Sequence, residues 1–144
     1  MKTRTLLLLA LACGIAIMLA GAVFLFQLAT RDAVAEPIAV GSPVEVGDMT
    51  VLVEGSSERA GELTVRIRIG GVDDLDGTAG FHLIASGRPV SRSTDDAADA
   101  CGATTVTDQE CVLRFDTSTA DGTSRVLFYE RGDDGVRWTL NSTG

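Results

Sequence analysis

The chain of 144 residues has one histidine, His82, and lacks the short motifs of the common enzyme classes. It contains no G-x-S-x-G, H-E-x-x-H, C-x-x-C, P-loop or G-x-G-x-x-G pattern. Any Ser-His-Asp site would have to use His82, which alternates with Phe81 and Leu83 as a residue on the polar face of a strand does. We therefore expect a protein that is not an enzyme, with no cofactor and no metal site.

Lysine is also scarce, since Lys2 is the only one. After Thr30 the chain has ten arginines against twenty acidic residues, a net charge of −10 with the histidine neutral. This balance excludes nucleic acid and anionic lipid headgroups as expected partners, because both bind Lys/Arg patches. It suits either a basic protein partner or simple solubility.

A long apolar run, Leu6 to Phe26, contains no polar side chain. At 1.5 Å per helical residue it is long enough to cross a hydrocarbon core of about 30 Å. Lys2 and Arg4 precede it, so the positive-inside rule places the amino terminus in the cytoplasm and the rest of the chain outside. We expect a single transmembrane helix held in the lipid bilayer of the cell membrane.

Two other interpretations of this run stay open. Ala33-Val34-Ala35 has the small-x-small pattern of a signal peptidase site, so the chain could instead be secreted after cleavage behind Ala35. Cys13 follows Ala10-Leu11-Ala12, which loosely resembles a lipobox. The apolar run continues well beyond Cys13, which favours a helix residue over a lipidated one.

Small residues recur along this helix at spacings that keep them on common faces. One face carries Ala12, Ala16 and Ala20, and a second carries Ala10, Gly14 and Gly21. Such faces let helices approach closely in lipid. We therefore expect the helix to pack against integral membrane protein subunits.

Beyond the helix, the chain divides into a stalk and one β domain. We assign residues 1–29 to the helix with its short cytoplasmic start, 30–46 to an extended stalk with Pro37 and Pro43, and 47–144 to a β-sandwich. Period-two alternation is clearest at residues 63–69, 111–115 and 136–140. Gly55-Ser56-Ser57 is expected to end a strand that starts at Met49, and residues 132–135 to form a tight hairpin loop.

Cys101 and Cys111 are the two cysteines outside the apolar run. An even count in an oxidising compartment favours a disulfide, and C-x9-C is not a metal-ligand spacing. With this pair and the terminal strand containing Trp138, residues 44–140 resemble the Ig-like external domains of bacterial single-pass membrane proteins. The resemblance implies an all-β, Ig-like antiparallel sandwich, although a cysteine pair so close in sequence departs from the immunoglobulin inter-sheet bridge.

The same architecture predicts the function. We expect a non-enzymatic accessory subunit that binds membrane protein subunits through both helix and sandwich. The arginine-rich composition resembles that of high-GC Gram-positive bacteria, so the named candidate is the accessory shell of their respiratory supercomplex.

The alternative function is a freestanding envelope module that binds a ligand or a cation. Its motivation is two acidic loops, Asp73/Asp74/Asp76 and Asp95/Asp96/Asp99, which offer hard oxygen ligands but lack the later glutamate of an EF-hand. Arg131-Gly132-Asp133 matches an integrin-type tripeptide. The expected hairpin turn accounts for its glycine and aspartate without a binding role.

Overall fold

The structure is a computed structural model that describes residues 2–31, 36–94 and 96–141. The chain divides into two compact units, Met1–Ala35 and Glu36–Gly144. The possible cleavage residues Ala33 to Ala35 and the acidic loop residue Asp95 lie outside the described residues.

Helix α1 spans Lys2–Arg31, and its apolar stretch Lys2–Ala29 is long enough to cross a membrane. None of this stretch is buried in the structure. The six small residues of the two expected faces are all exposed. A side chain at Gly14 or Gly21 would meet no atom outside the backbone of the helix itself. Packing against another helix therefore stays a prediction.

The described residues of the second unit form eight strands in two four-stranded antiparallel sheets. The first sheet has the order β1-β2-β3-β6 and the second has the order β5-β4-β7-β8. The strands are β1 Val44–Val46, β2 Met49–Arg59, β3 Glu62–Gly70, β4 Phe81–Ala85, β5 Arg88–Val90, β6 Gln109–Asp116, β7 Arg125–Arg131 and β8 Asp134–Leu140. The prediction of an all-β antiparallel domain after one apolar helix is confirmed at this level.

The inward residues of the two sheets form one core. In β3 the predicted inward positions Leu63, Val65, Ile67 and Ile69 are all fully buried, as period-two alternation requires. Each such side chain contributes about 1.5–3 kcal/mol of transfer free energy when it leaves water. Trp138 of β8 is also fully buried and is the largest side chain of the core.

Two local expectations have different outcomes. The hairpin loop is confirmed, because β7 pairs Arg131 with Asp134 of β8 and leaves only Gly132 and Asp133 in the turn. Gly132 has φ +60°, which favours glycine. Gly55-Ser56-Ser57 does not end β2, since a bulge after Val53 lets the strand continue to pair with β3.

The expected stalk at residues 30–46 also differs from the structure. From Glu36 onward the chain belongs to the β unit. The N–H of Ile38 donates to the Arg137 carbonyl of β8, and that of Gly41 donates to the Val53 carbonyl of β2. The backbone of this segment is hydrogen-bonded to both sheets, and Ile38 packs on the core. The segment is therefore part of the fold.

Cys101 and Cys111 form a disulfide with their Cα atoms 4.9 Å apart. The bond joins β6 to the crossover, which we define as residues 91–108 between the two sheets. Beside it, the Cys101 N–H donates to the Val112 carbonyl and the Val112 N–H donates to the Asp99 carbonyl. The crossover thereby covers part of the edge of β6 that β3 does not pair, which removes an open strand edge.

Replacing both bridged cysteines by alanine is expected to destabilise the β unit by about 2–3 kcal/mol, because the bond closes a short loop in the unfolded chain. With a urea m-value of about 1 kcal/mol/M, the unfolding midpoint should fall by about 2–3 M. Fluorescence of Trp138, the only tryptophan, follows the transition in detergent-solubilised full chain. Cys13→Ala is the matched control and should leave the midpoint unchanged, since Cys13 is an exposed free thiol of the helix.

An ion pair joins the two sheets at one end of the core. Arg125 of β7 is only 4% exposed and donates to both carboxylate oxygens of Glu58 on β2, at 2.8 and 2.9 Å. The Thr117 hydroxyl donates to the same carboxylate at 2.7 Å. The hydrogen bond from Arg125, followed by that from Thr117, outweighs desolvation and holds the pKa of Glu58 below its ordinary value of 4.5.

Glu58→Gln keeps the side-chain shape but leaves the Arg125 charge buried without a counter-ion, so we expect a loss of about 2 kcal/mol at pH 7. A lowered folded-state pKa gives stability that is present above about pH 4.5 and lost as the pH falls through the folded value. The stability gap between wild type and variant should therefore shrink below about pH 4.5. Urea titrations at several pH values measure this gap, with exposed Glu62→Gln as control. A gap that stays constant down to pH 3 would contradict the assignment.

Candidate functional site

A groove on the flank of the β unit lies between the loop before β4 and the crossover. Its volume is about 360 Å³, and we call it the flank groove. It is lined by Leu75, Asp76, Thr78, Ala79, Arg92, Ser93, Thr94, Asp96, Ala100, Cys101, Gly102, Val112 and Arg114. The bridged Cys101 and the crossover residue Arg92 place this groove beside the covered edge of β6.

Arg92 is partly buried in this groove and its guanidinium contacts only neutral acceptors. Nη1 donates to the Thr78 carbonyl at 3.1 Å and to the Thr78 hydroxyl at 3.4 Å, and Nη2 donates to the Cys101 carbonyl. Burial lowers the pKa of Arg92 from its ordinary value, although a guanidinium stays charged at neutral pH. The structure therefore holds a positive charge in the groove with no carboxylate partner among the described residues.

Four other buried or partly buried arginines have carboxylate partners among the described residues, whereas the partly buried Arg137 has none there. Arg68 pairs with Glu54 and Glu110, Arg114 with Asp99, Arg125 with Glu58, and Arg131 with Asp48 and Asp74. Arg114 lines the flank groove as well, and its Nη2 lies 2.9 and 3.1 Å from the two Asp99 carboxylate oxygens. Among the described residues, Arg114 thus has a carboxylate within ion-pair distance and Arg92 does not, although Asp76 and Asp96 also line the groove.

In the acidic loop at Asp73 to Asp76, Asp73 and Asp74 use their carboxylates inside the fold. Asp74 accepts a bond from Arg131 Nη1 at 2.6 Å and another from the Asp76 N–H at 2.9 Å. Asp73 accepts a bond from the Val106 N–H at 3.3 Å. Among the described residues, no three His, Cys, Asp or Glu side chains converge as a metal site would require.

Arg131 of the Arg-Gly-Asp tripeptide is likewise committed to internal ion pairs. Its Nε and Nη2 donate to Asp48, and its Nη1 donates to Asp74. Hydrogen bonds from Arg131 lower the pKa of both carboxyls, and the two carboxylates in turn raise the pKa of Arg131. The arginine ties the loop before β4 to the β1–β2 turn instead of being displayed to a receptor.

The outer face of the second sheet is a further candidate for binding, because it is apolar where a solvated face is normally polar. Ile84 of β4 and Val126 and Phe128 of β7 are partly exposed there and lie outside the core cluster. We call these three residues the apolar face. They form cross-strand pairs, with Val126 opposite Ile84, and Phe128 opposite His82 on one side and Arg137 on the other.

The outer face of the first sheet is different. Its outward residues on β3 and β6 include Arg66, Arg68 and Glu110, and Arg68 pairs with Glu110 and Glu54. His82 is exposed on the second sheet, in agreement with the polar-face position expected from the sequence. The two outer faces therefore differ, since the first sheet presents mainly charged side chains beside Leu52, and the second presents Ile84, Val126 and Phe128 beside His82 and Arg137.

Comparisons with known proteins give one structural likeness. No protein-family model and no curated protein matches the chain. The chain is similar to a solved structure from Bacillus subtilis described as a "putative lipoprotein (ycdA)", with a TM-score of 0.51 and 14% identity. The match covers 71% of this chain and 39% of that one, so the chain spans well under half of that protein's length. At this identity the likeness shows the fold alone.

Sequence reasoning did not identify Arg92 or the apolar face. The signal for the apolar face was present, because Ile84, Val126 and Phe128 interrupt the apolar/polar alternation of two strands. No pattern in the sequence around Arg92 indicates that it lines a groove. Its position depends on Thr78 and Cys101, which are distant in sequence and meet it only in the folded unit.

Arg131→Gln is expected to release the loop Gly71–Gly80, because Asp48 and Asp74 lose their shared counter-ion. Amide hydrogen exchange in that loop should become on the order of tenfold faster, while β3 stays protected. Arg66→Gln on the outer face of the first sheet is the control, since it removes the same charge from an exposed side chain. Unchanged exchange in the loop would show that Arg131 does not hold it.

Proposed function

We propose that this chain is a non-enzymatic, single-pass subunit of a larger membrane protein complex. The observation that carries the proposal is the helix, whose apolar stretch Lys2–Ala29 is exposed throughout and carries two faces of small residues. An apolar helix of this length needs lipid or protein around it. Close approach at alanine and glycine positions would provide packing energy that the lipid does not.

In this proposal the helix is retained, with the amino terminus in the cytoplasm and the β unit outside. Lys2 and Arg4 support this orientation. The disulfide between Cys101 and Cys111 supports an oxidising compartment for the β unit. The likeness to a protein described as a lipoprotein fits an envelope location.

We further propose that the β unit is Ig-like. The support is its strand order, in which β2-β3-β6 faces β5-β4-β7-β8 and the chain crosses between the sheets after β3, β5 and β6. This is a Greek-key arrangement of the kind that recurs in immunoglobulin and fibronectin type III sandwiches. The segment from Ile38 to Gly41, bonded to a strand of each sheet, fits a first strand that changes sheets.

The apolar face is the proposed contact of the β unit with its partner. Ile84, Val126 and Phe128 offer apolar area, and His82 and Arg137 beside Phe128 can donate hydrogen bonds. The partner we infer is the external surface of an integral membrane subunit, because the anchored helix would keep the β unit close to such a surface. The respiratory supercomplex of high-GC Gram-positive bacteria stays the named candidate, on composition and architecture alone.

The test is co-purification of tagged full-length chain from native membranes in mild detergent. Ala16→Leu on the helix and Phe128→Ser on the apolar face should each reduce recovery of the partner by about tenfold, a loss of ~1.4 kcal/mol. Matched controls are Ile17→Leu, on the same helix, and Leu52→Ser, partly exposed on the outer face of the first sheet. Both control variants should recover as much partner as the wild-type chain.

Two results would overturn the proposal. One is recovery of the wild-type chain as a lone monomer. The other is a mature amino terminus at Glu36 by mass spectrometry, which would support the secreted alternative. The freestanding module requires instead that the purified chain bind a ligand while no partner is recovered, so the same preparation separates all three functions.

A further inference from the structure

The outer face of the second sheet has three rows of side chains that differ in chemistry. The aliphatic row is paired across β5, β4 and β7 and consists of Pro89, Ile84 and Val126. The central row is paired across β4, β7 and β8 and consists of His82, Phe128 and Arg137. Glu130 forms the third row, because it follows Phe128 by two residues on β7. Successive rows lie about 7 Å apart, since a strand rises about 3.4 Å per residue.

Arg137 brings a positive charge to the central row. The Ile38 N–H donates to the Arg137 carbonyl, so the backbone groups of Arg137 point away from β7. Arg137 and Phe128 are therefore a non-hydrogen-bonded pair, the kind whose side chains lie closer together. Nε of Arg137 is buried without an acceptor. Nη1 and Nη2 also have no acceptor among the described residues but are not buried, so the charged end of the side chain reaches the surface.

Glu130 brings a negative charge to the third row. It is exposed, and no cationic group of the described residues lies within ion-pair distance of its carboxylate. Its Cγ lies over β8, 3.6 Å from where a side chain at Gly135 would begin. With His82 neutral, Arg137 and Glu130 carry the only charges at the outward positions of these four strands, all of which the structure describes.

We propose that this face binds a segment of the partner whose chemistry is complementary row by row. The segment places an apolar side chain over the aliphatic row, a carboxylate on Arg137 and a cationic group beside Glu130. The inference rests on the proposed contact of the apolar face with a membrane protein subunit, and it names the chemistry of that contact.

The two unpaired charges set the order of groups in the partner. A carboxylate matches the planar guanidinium of Arg137 in charge and geometry, and such pairs form strong hydrogen bonds. The same carboxylate placed one row further along would meet Glu130 and be repelled. The face carries one charge of each sign, so the pairs select the partner and its orientation more than they attract it from a distance.

The first test repeats the co-purification of tagged full-length chain with variants of the two charges. Arg137→Gln should lower recovery of the partner about fivefold, and Glu130→Gln about twofold, because Glu130 is more exposed. Arg137→Lys keeps the charge but not the planar fork, so its recovery should lie between those of the wild type and Arg137→Gln. Arg66→Gln, on the outer face of the first sheet, is the matched control and should recover as much partner as the wild type. Urea midpoints equal to wild type, followed by Trp138 fluorescence, verify that each variant folds.

The second test detects the carboxylate of the partner directly. Lys2 is the only lysine of the chain, so Arg137→Lys places a single lysine amine in the β unit. A water-soluble carbodiimide couples an amine to a carboxylate in contact with it, and mass spectrometry of the cross-linked peptide identifies the residue of the partner. We expect an Asp or Glu with an apolar residue beside it. Arg66→Lys is the matched control and should give no cross-link to the partner.

Three results would overturn the inference. One is full recovery of the partner by Arg137→Gln when Phe128→Ser loses it, which would leave the subunit role intact and remove only the carboxylate. Another is the absence of a cross-link from Arg137→Lys to the recovered partner. The third is a cross-link that joins two copies of this chain, which would identify the occupant of the face as a second copy. Recovery of no partner by the wild-type chain contradicts the proposed function itself, and the inference falls with it.

Discussion

Burial of the inner faces of the two sheets is the interaction on which the rest of the β unit depends. β3 is the clearest case, since it pairs with β2 and β6 and places four fully buried side chains against the opposite sheet. A one-residue slip of such a strand would move every one of these side chains to the solvent face. The register of β3 against β2 and β6 follows from this constraint.

A packed sandwich leaves strand edges that need partners, and the chain supplies them from its own irregular segments. The segment Ile38–Gly41 bonds to β8 and β2, and the crossover bonds to β6 under the disulfide. At the remaining edge of the second sheet, β5 is short and contains Pro89. Both features discourage pairing with a strand of another chain. The flank groove is a consequence of this arrangement, because the crossover that covers β6 also forms one wall.

Three surfaces take no part in covering the strand edges and are available for binding. The helix is apolar and exposed, the apolar face interrupts a solvated sheet, and Arg92 lines a groove without a carboxylate within ion-pair distance among the described residues. By contrast, Asp73, Asp74 and Arg131 are used to tie loops together. The expected binding surface on the helix is therefore exposed, whereas two of the carboxylates expected to bind a cation are used inside the fold.

The sequence by itself determined the apolar helix, the antiparallel β class, the inward positions of β3 and β6, the β7–β8 turn and the cysteine pair. These features depend on local periodicity, turn chemistry and residue type, which can be read within a few neighbouring positions. Only the tertiary structure decided that residues 36–46 join the sheets, that β2 continues through Gly55-Ser56-Ser57, and that Arg92 bonds to Thr78 and Cys101. Each of these depends on hydrogen bonds or charges from residues distant in sequence, and local propensity yields to such long-range contacts.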